Sequence, residues 1–142
     1  MIVTARNGAW TREAVDKFVG DEVLTDGNHA GQAIDAGMDL LRATGHETDA
    51  PWAPIGIGVN TGRAYVGVVG TADHVEFTAL GDPVNVTARL SSLAAAGEIL
   101  VTEATGNAAG ITTTDTERRH LDLRGRKEAT DVLVLTLPAP TT

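Results

Sequence analysis

The chain has 142 residues with a formal net charge of −8, 42% hydrophobic residues and no cysteine. That length suits one domain, and the absence of Cys excludes disulfides, thiolate metal sites and cysteine nucleophiles. The acidic balance disfavours nucleic acid as a partner but leaves a small phosphorylated ligand open, because a few local cations and a bound metal hold such a ligand against the global charge.

Residues 1–13 fit no single pattern; Met1 to Gly8 matches the end of a helix with Gly8 as its stop. Residues 14–25 read as a hairpin turning at Gly20-Asp21, and Asp26-Gly-Asn as a loop. A helix is predicted over 29–44, with Ala30, Ala33, Ile34, Gly37, Met38 and Leu41 on one stripe and Gly45 as its stop. After a loop at 46–54, strands are predicted at 55–60, 64–69 and 75–80, separated by Thr61-Gly62 and by Gly70–His74. Asp82-Pro83 opens the next helix, because Asp caps well and Pro at the first position needs no N–H partner. This helix is predicted to reach about Ala95, burying Val86, Leu90 and Leu93, with Gly97 ending it. A strand at 98–102, a short helix at 103–109 and a last strand at 132–137 follow. No apolar run is long enough to span a bilayer, and no charged-then-apolar leader opens the sequence, so the expected location is cytoplasmic. The expected organisation is one α/β domain over 1–137, its sheet partly open to water, with 138–142 as a frayed tail.

Four groups of residues could carry chemistry. Lys17 and Asp21 flank a turn, where a carboxylate can reach Mg²⁺; on spacing alone a polar turn is the better reading. Asn85 and Arg89 share one face of the second predicted helix, opposite its apolar stripe. An amide beside a guanidinium suits a sugar hydroxyl and a phosphate oxygen, yet taken alone the pair reads as a solvated face. Gly56-Ile-Gly-Val-Asn-Thr-Gly62, with Gly67 and Gly70, lacks the Gly-Lys-Ser/Thr of a phosphate loop, and its glycines point to close strand packing. Leu123-Arg-Gly-Arg-Lys127 is a basic run that fits either a polyphosphate site or a solvated loop. No two histidines stand at metal-ligand spacing, and no nucleophile–base pair is evident.

Taken in order, the blocks Asp16-Lys-Phe-Val-Gly-Asp-Glu-Val, Gly56-Ile-Gly-Val-Asn-Thr-Gly, Val66-Gly-Val-Val-Gly, Phe77-Thr-Ala-Leu-Gly-Asp-Pro-Val-Asn-Val-Thr-Ala-Arg-Leu-Ser-Ser-Leu and Gly97-Glu-Ile-Leu-Val-Thr-Glu-Ala-Thr resemble the catalytic domain of class III adenylate and guanylate cyclases. The resemblance implies a ferredoxin-like βαββαβ core and a head-to-tail homodimer with its active sites at the interface. It also implies ATP as substrate and Mg²⁺ or Mn²⁺ as cofactor. Asp21 then matches the second metal aspartate, Lys17 and Thr78 the base-reading pair, Asn85 the ribose-orienting asparagine and Arg89 the arginine that stabilises transition-state charge. Arg126, or else Arg124, lies near the triphosphate-binding cation.

The family's first metal aspartate sits in a Phe-x-Asp-Ile-x-Gly-Phe-like strand upstream of the Lys-Phe-Val-Gly-Asp hairpin, and this sequence has no such strand. The resemblance therefore implies a fold lacking its first strand and first helices, with low turnover. The alternative is a catalytically inactive cyclase-like module for dimerisation or regulation. The gap left in the sheet, beside 55–60, is expected to be closed by strand pairing, by a segment of a second copy in an intertwined dimer, or by rearrangement of residues 1–25.

Overall fold

The computed structural model describes residues 2–5, 29–62, 65–80, 82–111, 114, 116–123 and 129–138. In chain order these give β1 (Ile2–Ala5), α1 (His29–Ala43), β2 (Ile57–Asn60), β3 (Tyr65–Thr71), β4 (His74–Leu80), α2 (Asp82–Leu93), β5 (Glu98–Thr102), α3 (Glu103–Ala108), β6 (Glu117–Leu121) and β7 (Thr130–Thr136). One sheet runs β1-β2-β5-β7-β6, while β3 and β4 form a separate two-stranded ribbon. Within the large sheet β2 and β5 are parallel and the other neighbours antiparallel. Parallel neighbours need a crossover, and here the ribbon and α2 supply it. The fold is the mixed α+β arrangement expected.

The apolar stripe of α1 packs as its spacing predicts. Ala30, Ala33, Ile34 and Leu41 are buried and meet Ile57, Val59, Ile99, Val101 and Leu133 on one face of the sheet. The helix stops where expected. Gly45 takes φ +89°, and the His46 and Gly45 N–H groups donate to the carbonyls of Leu41 (3.0 Å) and Arg42 (3.1 Å). That double closure needs a left-handed residue, which glycine supplies without strain.

The opposite face takes α2. Alternation along β2 turns Ile57 and Val59 toward α1 and Gly58 toward α2. A Cβ on Gly58 would lie 2.5 Å from Ser91 N and 2.6 Å from Thr87 O, and one on Gly56 would lie 2.5 Å from Ala94 O. The helix backbone thus rests on the strand with no side chain between, which is the close packing the glycines pointed to. Val86 and Leu90 are buried as predicted, with Leu100, Leu123, Val132 and Val134. Leu93 is not; it is 36% exposed, and Ala94 is fully buried in its stead. The buried direction recurs four residues beyond Leu90, and against Gly56 there is room only for a methyl group.

Three further expectations are corrected. Residues 2–5 are a strand rather than a helix end, paired antiparallel to β2 from Ile2↔Asn60 to Ala5↔Ile57. The β-branched Ile2, Val3 and Thr4 suit a strand, and pairing satisfies the N–H and C=O groups along that edge of β2. The edge beside 57–60 is therefore covered by Ile2–Ala5 of the same chain. The loop predicted at Gly70–His74 shrinks to Ala72 and Asp73, because β3 and β4 pair through Thr71↔His74. β6 was not foreseen: Glu-Arg-Arg-His-Leu has a single apolar residue, as suits an edge strand with neighbours on one side only. At β6 the sheet is partly open to water, as expected. The hairpin predicted at 14–25 and the loop at 26–28 lie outside the described residues.

Candidate active site

β4 runs almost directly into α2, so Thr78, Asn85 and Arg89 come from consecutive elements. Thr78 lies opposite Gly67 in the ribbon register. Asn85 and Arg89 are exposed and one turn apart on α2, on the side away from buried Val86, Leu90 and Ala94. Thr78 thus lies on the strand that precedes the helix carrying Asn85 and Arg89. Lys17, Asp21, Arg124 and Arg126 lie outside the described residues. Among the described residues no group of three His, Cys, Asp or Glu side chains converges as a metal site.

Behind the first turn of α2 lies a polar junction that the sequence did not announce. It joins the ends of β2 and β5 to the starts of α2 and α3. Thr105 is fully buried; its hydroxyl accepts the Thr61 N–H (2.9 Å), donates to the Thr61 hydroxyl (3.1 Å) and lies 2.8 Å from that of Thr102. Thr102 Oγ1 donates to Asn60 Oδ1 (2.9 Å), and Asn60 Nδ2 donates to the Pro83 carbonyl (3.4 Å). The Thr87 hydroxyl donates to that same carbonyl at 2.6 Å. No buried side-chain N or O among the described residues lacks a partner. Isolated Thr and Asn at strand ends look like ordinary turn residues, so only the folded chain shows that they meet. Beside the junction opens a cleft of about 710 Å³, lined by Asn60, Thr61, Pro83, Val86, Thr102, Glu103, Ala104, Ala129, Thr130 and Asp131. Glu103 on its wall pairs with Arg118 of β6 at 3.3 Å.

Beyond its backbone pairing with β7, β6 is joined to β5 by charge. Arg119 reaches across β7 to Glu98 with two bonds, of 3.0 and 2.9 Å. Glu98 also accepts the Ala95 N–H at 2.8 Å. The guanidinium bonds and, to a lesser degree, that backbone bond hold the Glu98 carboxyl below its ordinary value against the opposing effect of burial. The same bonds, with one to Glu117, raise the pKa of Arg119.

A family model for the adenylate and guanylate cyclase catalytic domain matches residues 19–136. The chain belongs to that family. The terminal-differentiation specific adenylate cyclase of Dictyostelium discoideum is 30% identical over 135 residues, a match covering 83% of this chain and 6% of that protein. An adenylate cyclase of Anabaena cylindrica is 33% identical over 91 residues, covering 56% of this chain and 18% of that protein. The chain therefore spans only a small part of either relative. Among solved structures, the guanylyl cyclase Cya2 superposes with a TM-score of 0.63 at 26% identity, covering 77% of this chain and 58% of that one. The adenylyl cyclase CyaB from P. aeruginosa shares the fold with a TM-score of 0.60 at 24% identity, covering 84% of this chain and 65% of that one. Cyclases named for either purine thus stand among the cyclase domain's relatives. None of its described helices is long and apolar enough to cross a membrane.

Proposed function

We propose that this cyclase domain is directed to ATP and closes it to cyclic AMP. The ribose 3′-hydroxyl gives up its proton to water and attacks the α-phosphorus. A bond forms from that oxygen to phosphorus, the bond to the β-phosphate bridging oxygen breaks, and pyrophosphate leaves. Lys17 and Thr78 read the adenine edge, Asn85 holds the ribose, and Arg126 or Arg124 binds the triphosphate. Arg89 donates to the phosphate oxygens that gain charge as the bond breaks, where preorganised donors are worth most. Asp21 would hold a divalent ion, Mg²⁺ or Mn²⁺, whose chemistry is to neutralise phosphate charge and favour the ionised hydroxyl. Two copies pairing head to tail would complete each site.

The observation that carries this reading is the placement of Asn85 and Arg89, exposed, one turn apart and clear of the buried face of α2. The test is cyclic nucleotide production from ATP and from GTP, with Mg²⁺ and with Mn²⁺, for the wild type and Arg89→Ala. Cyclic AMP made by the wild type and lost in the variant supports the assignment; unchanged production by the variant refutes it.

A further inference from the structure

We infer that Thr105 and Asn60, neither of which is in the proposed binding set, are positioning residues that set where α2 presents Asn85 and Arg89. The inference rests on the nucleotide-binding reading for its consequence, though not for its geometry. Thr105 is fully buried at the start of α3, and its hydroxyl fixes the Thr61 backbone N–H at 2.9 Å. The Thr102 hydroxyl packs 2.8 Å from that of Thr105 and donates to Asn60, which is 7% exposed and donates to the carbonyl of Pro83 at 3.4 Å. Beyond Thr61, a Cβ on Gly62 would lie 2.3 Å from Pro83 Cγ, so the loop backbone presses directly on that ring. Two independent contacts, one a long hydrogen bond and one steric, thus bear on the first turn of α2. Asn85 follows Pro83 by two residues on a rigid helix, and Arg89 by one further turn. A shift of the Pro83 end is therefore carried to both side chains. Misplacement of a reacting group by about 1 Å is enough to cost roughly a hundredfold in rate, so such a junction has leverage that its distance from the ligand conceals.

Three variants of the whole chain test this: Thr105→Val, which keeps the shape and removes the hydroxyl; Thr105→Ser, which restores it; and Gly62→Ala, which pushes on the Pro83 ring. Ile34→Ala, on α1 across the sheet, controls for simple loss of stability. The first readout is NMR of the Asn85 side-chain amide and the Arg89 Nε–H. The second is the affinity for α,β-methylene ATP with Mg²⁺. Thr105→Val and Gly62→Ala are expected to shift both signals and weaken binding by about tenfold or more, while Thr105→Ser and Ile34→Ala leave them near wild type. If Thr105→Val does not fold, Asn60→Asp, which keeps the shape and removes the donor to Pro83, decides the matter by the same two readouts. Signals that stay in place, or that move equally in Ile34→Ala, overturn the inference. Signals that move in a chain whose wild type binds no ATP analogue uphold the positioning and refute the nucleotide reading instead.

Discussion

Arg89 and Glu98 are both charged, yet they do different work, and the difference sets what each substitution should cost. Arg89 is exposed and outside both buried clusters, so Arg89→Ala should change stability by no more than about 0.5 kcal/mol. Its loss should appear as a fall in turnover of a hundredfold or more, read in cyclase rates beside an unchanged thermal melt. Glu98 has the opposite profile. Its carboxylate holds Arg119 and so pins β6 across β7. Solvent at the partly exposed guanidinium screens the pair, so Glu98→Gln should cost only about 1 kcal/mol near pH 7. The sign with pH follows from the lowered pKa of Glu98. The contribution is fully present above the ordinary glutamate value, about 4.3, and is lost as pH falls through the lower folded value. Denaturant melts of wild type and Glu98→Gln should therefore converge on acidification below about pH 4; a gap that stays constant would show that the carboxylate charge is not what ties β6 down.

At the scale of elements, the contact between β2 and α2 is tightly constrained. A Cβ at Gly58 would meet backbone atoms of Ser91 and Thr87, which cannot rotate away as a side chain would. Gly58→Ala should destabilise the chain by about 1–3 kcal/mol, measured as a shift in denaturant midpoint. The Leu90→Ala cavity beneath the same helix should cost about 2–5 kcal/mol. A Gly58→Ala chain as stable as wild type would mean that α2 does not sit on bare backbone. These elements also show what a sequence can tell. The α1 stripe and its Gly45 stop were legible because apolar spacing and a left-handed glycine act locally. The close packing at Gly56 and Gly58 was legible because glycines alternating in a strand have few other uses. Leu93 misled, since helical spacing places Leu93 and Ala94 almost equally and only the shallow surface at Gly56 selects the smaller one. β6 and β1 were hidden because edge pairing depends on a distant partner, not on a pattern of their own. For the same reason Asn85 and Arg89 could be named from the sequence, while the Thr105 junction behind them, assembled from residues 42 and 44 positions apart, could not.

For the molecule as a whole, the family and the fold agree: the match over residues 19–136 takes in β2 through β7, and the sheet carries helices on both faces. The cyclases it resembles are named for one purine or the other, and the proposed pair for that choice is Lys17 with Thr78. A donor suited to one ring edge meets a mismatched partner on the other, at about 1–3 kcal/mol for each bond left unmade. Binding does not require turnover, so the choice can be read even where catalysis is slow. The most direct measurement is calorimetric titration of the chain with ATP and with GTP in the presence of Mg²⁺, repeated with Lys17→Ala. The account predicts that ATP binds about tenfold or more tightly than GTP and that the preference collapses in the variant. GTP binding as tight as ATP, or a preference that survives loss of Lys17, would contradict it.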